Sequence, residues 1–129
     1  MNAVTTFALL SAIFVIKHLL ADFCLQTEWM AVAKEARSGW LVPLTAHCAW
    51  HAGMTAAIVL AVAPSLWWLA VIDFFVHAAI DRGKGLAIMS WQVTPMKEKR
   101  WWLIFGTDQA LHQLTHLGWA LVLVSAYGP

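Results

Sequence analysis

Charged residues are scarce in this chain, at 12% of 129 residues, whereas hydrophobic residues reach 61%. A soluble domain carries roughly twice that charged fraction. The chain has no Gly-rich phosphate loop, Arg cluster or basic helix, and its formal net charge is +1, which argues against nucleic acid as a partner. Its two cysteines, Cys24 and Cys48, are not spaced as in a zinc motif. The composition therefore predicts an integral membrane protein.

Four apolar stretches are long enough to cross a hydrocarbon core about 30 Å thick, which takes about 20 helical residues. They cover residues 3–26, 40–62, 65–81 and 101–127. No basic residue precedes the first stretch and no cleavage site follows it, so a cleaved signal peptide is not expected. The sequence predicts an all-α, integral membrane four-helix bundle, with residues 1–129 as a single transmembrane domain.

The basic residues predict the orientation of this bundle. Lys34 and Arg37 lie between the first and second spans. Five more lie between the third and fourth: Arg82, Lys84, Lys97, Lys99 and Arg100. Lys17, inside the first span, can extend its ammonium group towards the interface, and as the one cation within a span it is too few to compensate the carboxylates. By the positive-inside rule, both basic loops face the cytoplasm and both termini lie outside it. Residues 29–34 and 86–102 mix aromatic and charged side chains, which indicates interfacial segments on the cytoplasmic side.

Polar residues spaced four apart interrupt the apolar spans. On an α-helix this spacing places side chains on one face, with about 40° of drift per step. All six histidines and four aspartates belong to such stripes: His18, Asp22, His47, His51, Asp73, His77, Asp81, Asp108, His112 and His116. In the predicted orientation every stripe lies in the cytoplasmic leaflet. We therefore expect these ten side chains to converge.

The order of the stripes repeats along the chain. A His and an Asp on one helix are followed by two His on the next: His18, Asp22, His47 and His51, then His77, Asp81, His112 and His116. The repeat predicts two parallel helical hairpins related by a pseudo-two-fold axis along the membrane normal. Asp73 and Asp108 are additions of the second hairpin, where the first has Phe14 and Pro43.

Carboxylates inside a membrane need compensation, because each costs about 2.5–3.5 kcal/mol near the centre of a span. A divalent ion neutralises carboxylates and binds neutral imidazoles, so it accounts for both residue types. Two ions could take their ligands from all ten candidates and would fit the repeat. One ion would leave most of the candidates to hold the ligands in place by hydrogen bonds. Zinc, manganese and iron(II) all suit such ligands. A network of Asp–His hydrogen bonds without metal is the alternative.

The motifs resemble those of a known family. They are HLxxDFxLQ at residues 18–26, HxxxH at 47–51, DxxxHxxxDxxK at 73–84 and DQxxH at 108–112. Together they are similar to the family named domain of unknown function 3307, over essentially the whole chain. The resemblance implies a small protein of the bacterial inner membrane, from a bacterium or a bacteriophage, and implies no activity. More loosely, the polar stripes are similar to those of membrane-bound metal-dependent hydrolases.

The favoured function is a membrane-embedded hydrolase with one or two divalent ions, acting on a lipid-like substrate in the cytoplasmic leaflet. An ion would lower the pKa of a bound water to about 7. An aspartate outside the ligand set, Asp73 or Asp108, would act as general base.

Two other classes of function stay open. One is a metal-ion transporter, or a metal-binding membrane protein without catalysis. Transporters usually place the site at the midplane between inverted repeats, which the parallel repeat does not match. The other is a haem bundle with paired histidine ligands, which would need apolar surroundings. The expected partner is the lipid bilayer, and homo-oligomerisation stays open.

Overall fold

A computed structural model describes residues 2–126, and within this range the regular secondary structure is all helical, without strands. The helices are α1 (Ala3–Leu19), α2 (Glu28–Ala33), α3 (Leu41–Val62), α4 (Trp68–Ser90) and α5 (Lys99–Ala126). A π-helical segment, Leu20–Leu25, continues α1, and a 3₁₀ turn, Pro64–Leu66, precedes α4. The cysteines are unpaired: Cys24 is exposed and Cys48 is buried.

Three segments of the described chain are long and apolar enough to cross a membrane: Ala3–Leu25, Leu41–Val62 and Pro64–Ser90. The chain is thus a helical protein suited to a lipid bilayer. The predicted fourth span overlaps α5, which is 28 residues long but more polar than the other three. Tyr127, the last residue of that predicted span, lies outside the described residues.

Helix α4 continues beyond the predicted end of the third span. The charged residues from Asp81 onwards indicated a loop, whereas the helix runs to Ser90. The reason is that the chain before α3 provides partners for these charges: Lys34 contacts Asp81, and Glu35 contacts Lys84. The second predicted interfacial segment therefore begins inside α4.

Side-chain caps fix where the two N-terminal helices begin. Asn2 accepts a hydrogen bond from the backbone N–H of Thr5 at 2.8 Å, ahead of α1. Thr27 accepts one from the N–H of Met30 at 3.2 Å, ahead of α2. Such caps satisfy backbone donors that the first helical turn leaves unpaired.

The interior is divided into an apolar layer and a polar layer. Helix α3 packs on α4, α4 on α5, α5 on α1, and α1 on α3. All four contribute to one apolar cluster: Leu10, Phe14, Val59, Leu69, Ala120 and Leu123. The ring of Phe14 stacks on that of His116, with centroids 5.4 Å apart, and marks the boundary with the polar layer.

Large apolar side chains cover the outside of the helices. On α5, Leu103, Leu111, Leu114 and Leu121 are all exposed, while Asp108 on the same helix is buried. This arrangement reverses that of a soluble protein, where buried charge is rare. It suits a chain whose surroundings are hydrocarbon.

Candidate metal centre

The structure brings together all ten polar residues singled out in the sequence. They form four groups of three, and within each group the candidate ligand atoms lie within 4.8 Å of one another. The groups are His18, His51 and His77; Asp22, His47 and His51; Asp73, His77 and His116; and Asp81, Asp108 and His112. These buried groups could hold a metal ion.

The imidazoles form a continuous cluster across the helices. The ring centroids of His51 and His77 are 4.1 Å apart, and those of His77 and His112 are 4.5 Å apart. His47 adjoins His51 at 4.7 Å, and His18 lies 5.1 Å from His112. Rings at these distances are in direct contact.

Each of the six histidines within residues 2–126 has one buried ring nitrogen without a hydrogen-bond partner in the protein. These atoms are Nδ1 of His18, His47, His51 and His116, and Nε2 of His77 and His112. Leaving a buried polar atom unpaired costs about 1–3 kcal/mol, so six in one cluster need an explanation. A bound ion would occupy such nitrogen lone pairs.

The other ring nitrogen is oriented by a protein oxygen in most cases. His77 Nδ1 lies 3.2 Å from the carbonyl oxygen of Asp73, and His112 Nδ1 lies 2.8 Å from that of Asp108. His47 Nε2 faces Asp81 at 3.1 Å. Histidines that bind metals usually donate their second N–H to an oxygen in this way, which fixes the tautomer.

His116 differs from the other histidines. Its Nε2 lies 3.2 Å from the ammonium nitrogen of Lys17. Because an ammonium group can only donate, Nε2 accepts, and the proton of a neutral ring is then on Nδ1. His116 therefore has no free lone pair, which makes it the weakest candidate ligand among the histidines.

Asp22 lies on the π-helical segment rather than on regular helix. The π-type hydrogen bond from Gln26 N–H to the Ala21 carbonyl is 3.1 Å long. One oxygen of Asp22 lies 2.9 Å from His51 Nε2, and the other lies 3.2 Å from His18 Nε2. Such π-turns are frequent at functional sites. Spacing alone gave no signal of this turn.

Asp73 uses both carboxylate oxygens within the protein. One accepts from Thr55 at 2.6 Å and faces the Lys17 ammonium at 3.3 Å. The other accepts from the indole N–H of Trp119 at 2.8 Å and lies 3.3 Å from His77 Nδ1. Asp73 thus holds Lys17 and His77 in place, and its role as general base gains no support.

Lysines compensate three of the four aspartates of the site, and these three are the buried ones. Besides the Lys17 pair, Lys34 lies 3.4 Å from Asp81. Lys84 lies 3.6 Å from Asp108. Lys17 does not extend to the interface, since its side chain is 2% exposed and paired inside the protein. Nothing in the sequence pattern indicated that Lys34 pairs with Asp81, because a loop brings it to the cluster. Lys84 belonged to one of the motifs, but its pairing with Asp108 was not predicted.

The segment between α2 and α3 closes the polar end of the cluster. It places Lys34 on Asp81, and its Ala36 carbonyl accepts from Arg82 at 3.0 Å. It also passes close to α4 at Gly85, where an added Cβ would lie 3.2 Å from the Cα of Glu35. Gly85 therefore permits this close approach.

Gly85→Val is expected to displace this segment and to destabilise the fold by roughly 1–3 kcal/mol, as overpacking does. The measurement is the free energy of unfolding in detergent, from denaturant or thermal transitions. Gly106→Val is the matched control, because a Cβ at that helical glycine meets no atom within 4 Å. Equal effects of the two substitutions would contradict the assigned contact.

Comparison with protein families assigns the chain. A family model described as protein of unknown function (DUF3307) matches residues 10–126. The chain belongs to the DUF3307 family. The matched residues include all ten members of the candidate site and the three lysines that pair with its aspartates. Comparisons with curated proteins and with solved structures give no match.

Proposed function

We propose that this DUF3307 protein is a membrane-embedded metal-binding protein and that its bound ions serve a hydrolase. The observation that carries the proposal is the set of six buried imidazoles with one unpartnered nitrogen each, five of which offer a free lone pair, gathered around carboxylates within residues 2–126. Hydrogen bonding alone does not account for these nitrogens. Zinc, manganese and iron(II) all accept such donors.

Two groups that share no residue would each hold one ion. His18, His51 and His77 form the first, and three histidines with an open fourth position are typical of catalytic zinc. Asp81, Asp108 and His112 form the second. Within the described chain, these six residues contribute five side-chain atoms without a hydrogen-bond partner: His18 Nδ1, His51 Nδ1, His77 Nε2, Asp108 Oδ1 and His112 Nε2. The remaining candidate residues would orient them.

A bound ion would supply a nucleophilic water and polarise the substrate's phosphoryl or carbonyl oxygen. The protein's own part is to hold the ligands and to exclude bulk water. In a site with one ion, Asp108 would be the better candidate for general base, because its Oδ1 has no partner in the described chain, whereas Asp73 is fully bonded. In a site with two ions, the same oxygen would instead bind the second ion. Lys84, 3.6 Å from Asp108, would stabilise developing negative charge.

The metal content of protein purified without added metal tests the proposal. We expect one or two ions per chain by elemental analysis. His51→Ala and His77→Ala should each lose at least half of this metal, because they remove ligands from the three-histidine group. His116→Ala should retain it, since Lys17 already occupies that ring. Metal-free wild type that stays empty after incubation with zinc, manganese and iron(II) in turn would refute the proposal.

A topology of four spans, with the site in the cytoplasmic leaflet and both termini outside, belongs to the same proposal. The exposed leucines of α5 support its placement in lipid, and the basic loops support the orientation. Alkaline phosphatase fused after Pro129 should be active, because that enzyme folds only outside the cytoplasm. An inactive fusion, with an active cytoplasmic reporter at the same position, would contradict this topology.

A polar network without metal is the competing explanation, and one observation favours it. The three lysine–aspartate pairs already compensate much of the buried negative charge. Ion pairs do not, however, satisfy the free ring nitrogens. Transport receives less support, because the apolar layer around Phe14 closes one end of the interior. The haem alternative also weakens, since the imidazoles contact one another directly and the Asp22 carboxylate contacts both His18 and His51.

A further inference from the structure

An apolar groove of about 610 Å³ lies between α4 and α5, on the outside of the candidate site. Its walls include Ile80, Ala87, Leu103, Ile104 and Leu111. The volume falls within the range of about 300–1,000 Å³ that ligand sites occupy. A groove with these walls on a helix pair that faces hydrocarbon fits an acyl chain.

Polar and charged side chains also line this groove. Lys84, Arg100, Thr107 and Asp108 all line it. Arg100 pairs with Glu98 at 2.9 Å, but its side chain is 60% exposed, so the pair is weak and its remaining donors are available. The groove thus combines apolar walls with a hydroxyl, a carboxylate and two cations. Lys84 already pairs with Glu35 at 2.7 Å and lies near Asp108, so Arg100 provides most of the charge that complements a phosphate group.

The groove also reaches the candidate metal centre. Asp108 lines it, is 3% exposed, and has one buried oxygen without a partner within the described chain. The same residue belongs to the group of Asp81 and His112. A ligand whose polar head lies beside Lys84 would therefore be adjacent to the proposed ions.

We infer that this groove binds one phospholipid, with an acyl chain along the α4–α5 walls and its phosphate towards Lys84 and Arg100. That this phospholipid is the substrate rests on the proposed function. That the groove binds a phospholipid does not depend on it. A second groove, between α3 and α4, provides an internal comparison. It is lined by Ala52, Gly53, Ala56, Ala70, Val71, Phe74 and Phe75, without a charged side chain.

Native mass spectrometry in detergent, with a chelator present, tests the inference. The probes are dioleoylphosphatidylglycerol and dioleoylglycerol, which share their acyl chains but differ in the phosphate. Wild type should retain one phospholipid and bind it at least about tenfold more tightly than dioleoylglycerol, as expected for charge-assisted hydrogen bonds. Arg100→Gln should reduce this preference several-fold without changing dioleoylglycerol binding, and it alters an exposed residue that the fold does not need.

Gly83→Leu should block the groove, because Gly83 lines it and a Cβ there meets no atom within 4 Å. Gly53→Leu, which fills the second groove from an equally open position, should leave phospholipid binding unchanged. Equal binding of the two lipids, or equal effects of the two leucines, would overturn the inference. Metal content is measured separately. A protein that binds metal but does not distinguish the two lipids would overturn only the inference about the groove, and not the proposed metal centre.

Discussion

Removal of bound metal is expected to lower the free energy of unfolding by about 4 kcal/mol when the free metal had been at roughly a thousand times its Kd. The proposed ion would bind only the folded protein, since its candidate ligands come from α1, α3, α4 and α5. The measurement is a thermal melt in detergent, with and without a membrane-permeant chelator. The free metal concentration must be fixed, because the gain depends on it.

Two substitutions make this prediction specific to the site. His112→Ala should remove most of the gain and lose metal, while adding no buried charge that would impair insertion. Asp108→Asn should preserve the shape of the site and weaken binding. His116→Ala serves as the control that keeps the response to the chelator. If the wild type melts identically under both conditions and contains no metal, the cluster is a structural network and the hydrolase proposal falls.

Lys17→Met is expected to destabilise the fold by about 3–5 kcal/mol, as loss of one partner of a buried ion pair does. The substitution leaves the carboxylate of Asp73 buried without its cation, although Thr55 and Trp119 still donate to it. The free energy of unfolding in detergent measures the effect. Lys97→Met, at an exposed position, should change it by no more than about 0.5 kcal/mol.

The double variant Lys17→Met with Asp73→Asn separates charge from packing. Asn keeps an oxygen that can accept from Trp119 but removes the negative charge, so much of the lost stability should return. If the loss of unfolding free energy in the double variant equals the sum of the losses in Lys17→Met and Asp73→Asn, the two side chains do not interact. Both variants that carry Lys17→Met also test metal binding by His116, because its Nε2 no longer accepts a hydrogen bond from Lys17.

Sequence spacing was sufficient to select the residues of the candidate site. Asp108, His112 and His116 lie four apart, so one helical face must carry all three, and burial of that face follows from its cost in lipid. The same reasoning applied to each stripe, which explains why all ten residues converge. The family resemblance, based on these motifs, is confirmed over residues 10–126.

The partners of these residues could not be predicted in the same way. Lys34 reaches Asp81 because of a loop conformation, and no periodicity describes a loop. Lys17 lies at a position where a long side chain could extend to the interface or turn inwards, and only the location of Asp73 decides between them. Asp22, on the π-turn, contacts His51 of α3, and the spacing of residues along the chain does not show such a contact. Tertiary contacts therefore determined what sequence reasoning missed.

The reversed polarity of the interior affects how the chain can be synthesised. In the proposed four-span topology, α5 is synthesised after α1, α3 and α4, and its buried face carries Asp108, His112 and His116, which lipid alone would not accommodate cheaply. The three earlier helices provide the matching polar surface, so α5 gains a favourable environment only once they are in place. With that topology, we expect α5 to need the helices before it for efficient insertion, which would make insertion cooperative rather than helix by helix.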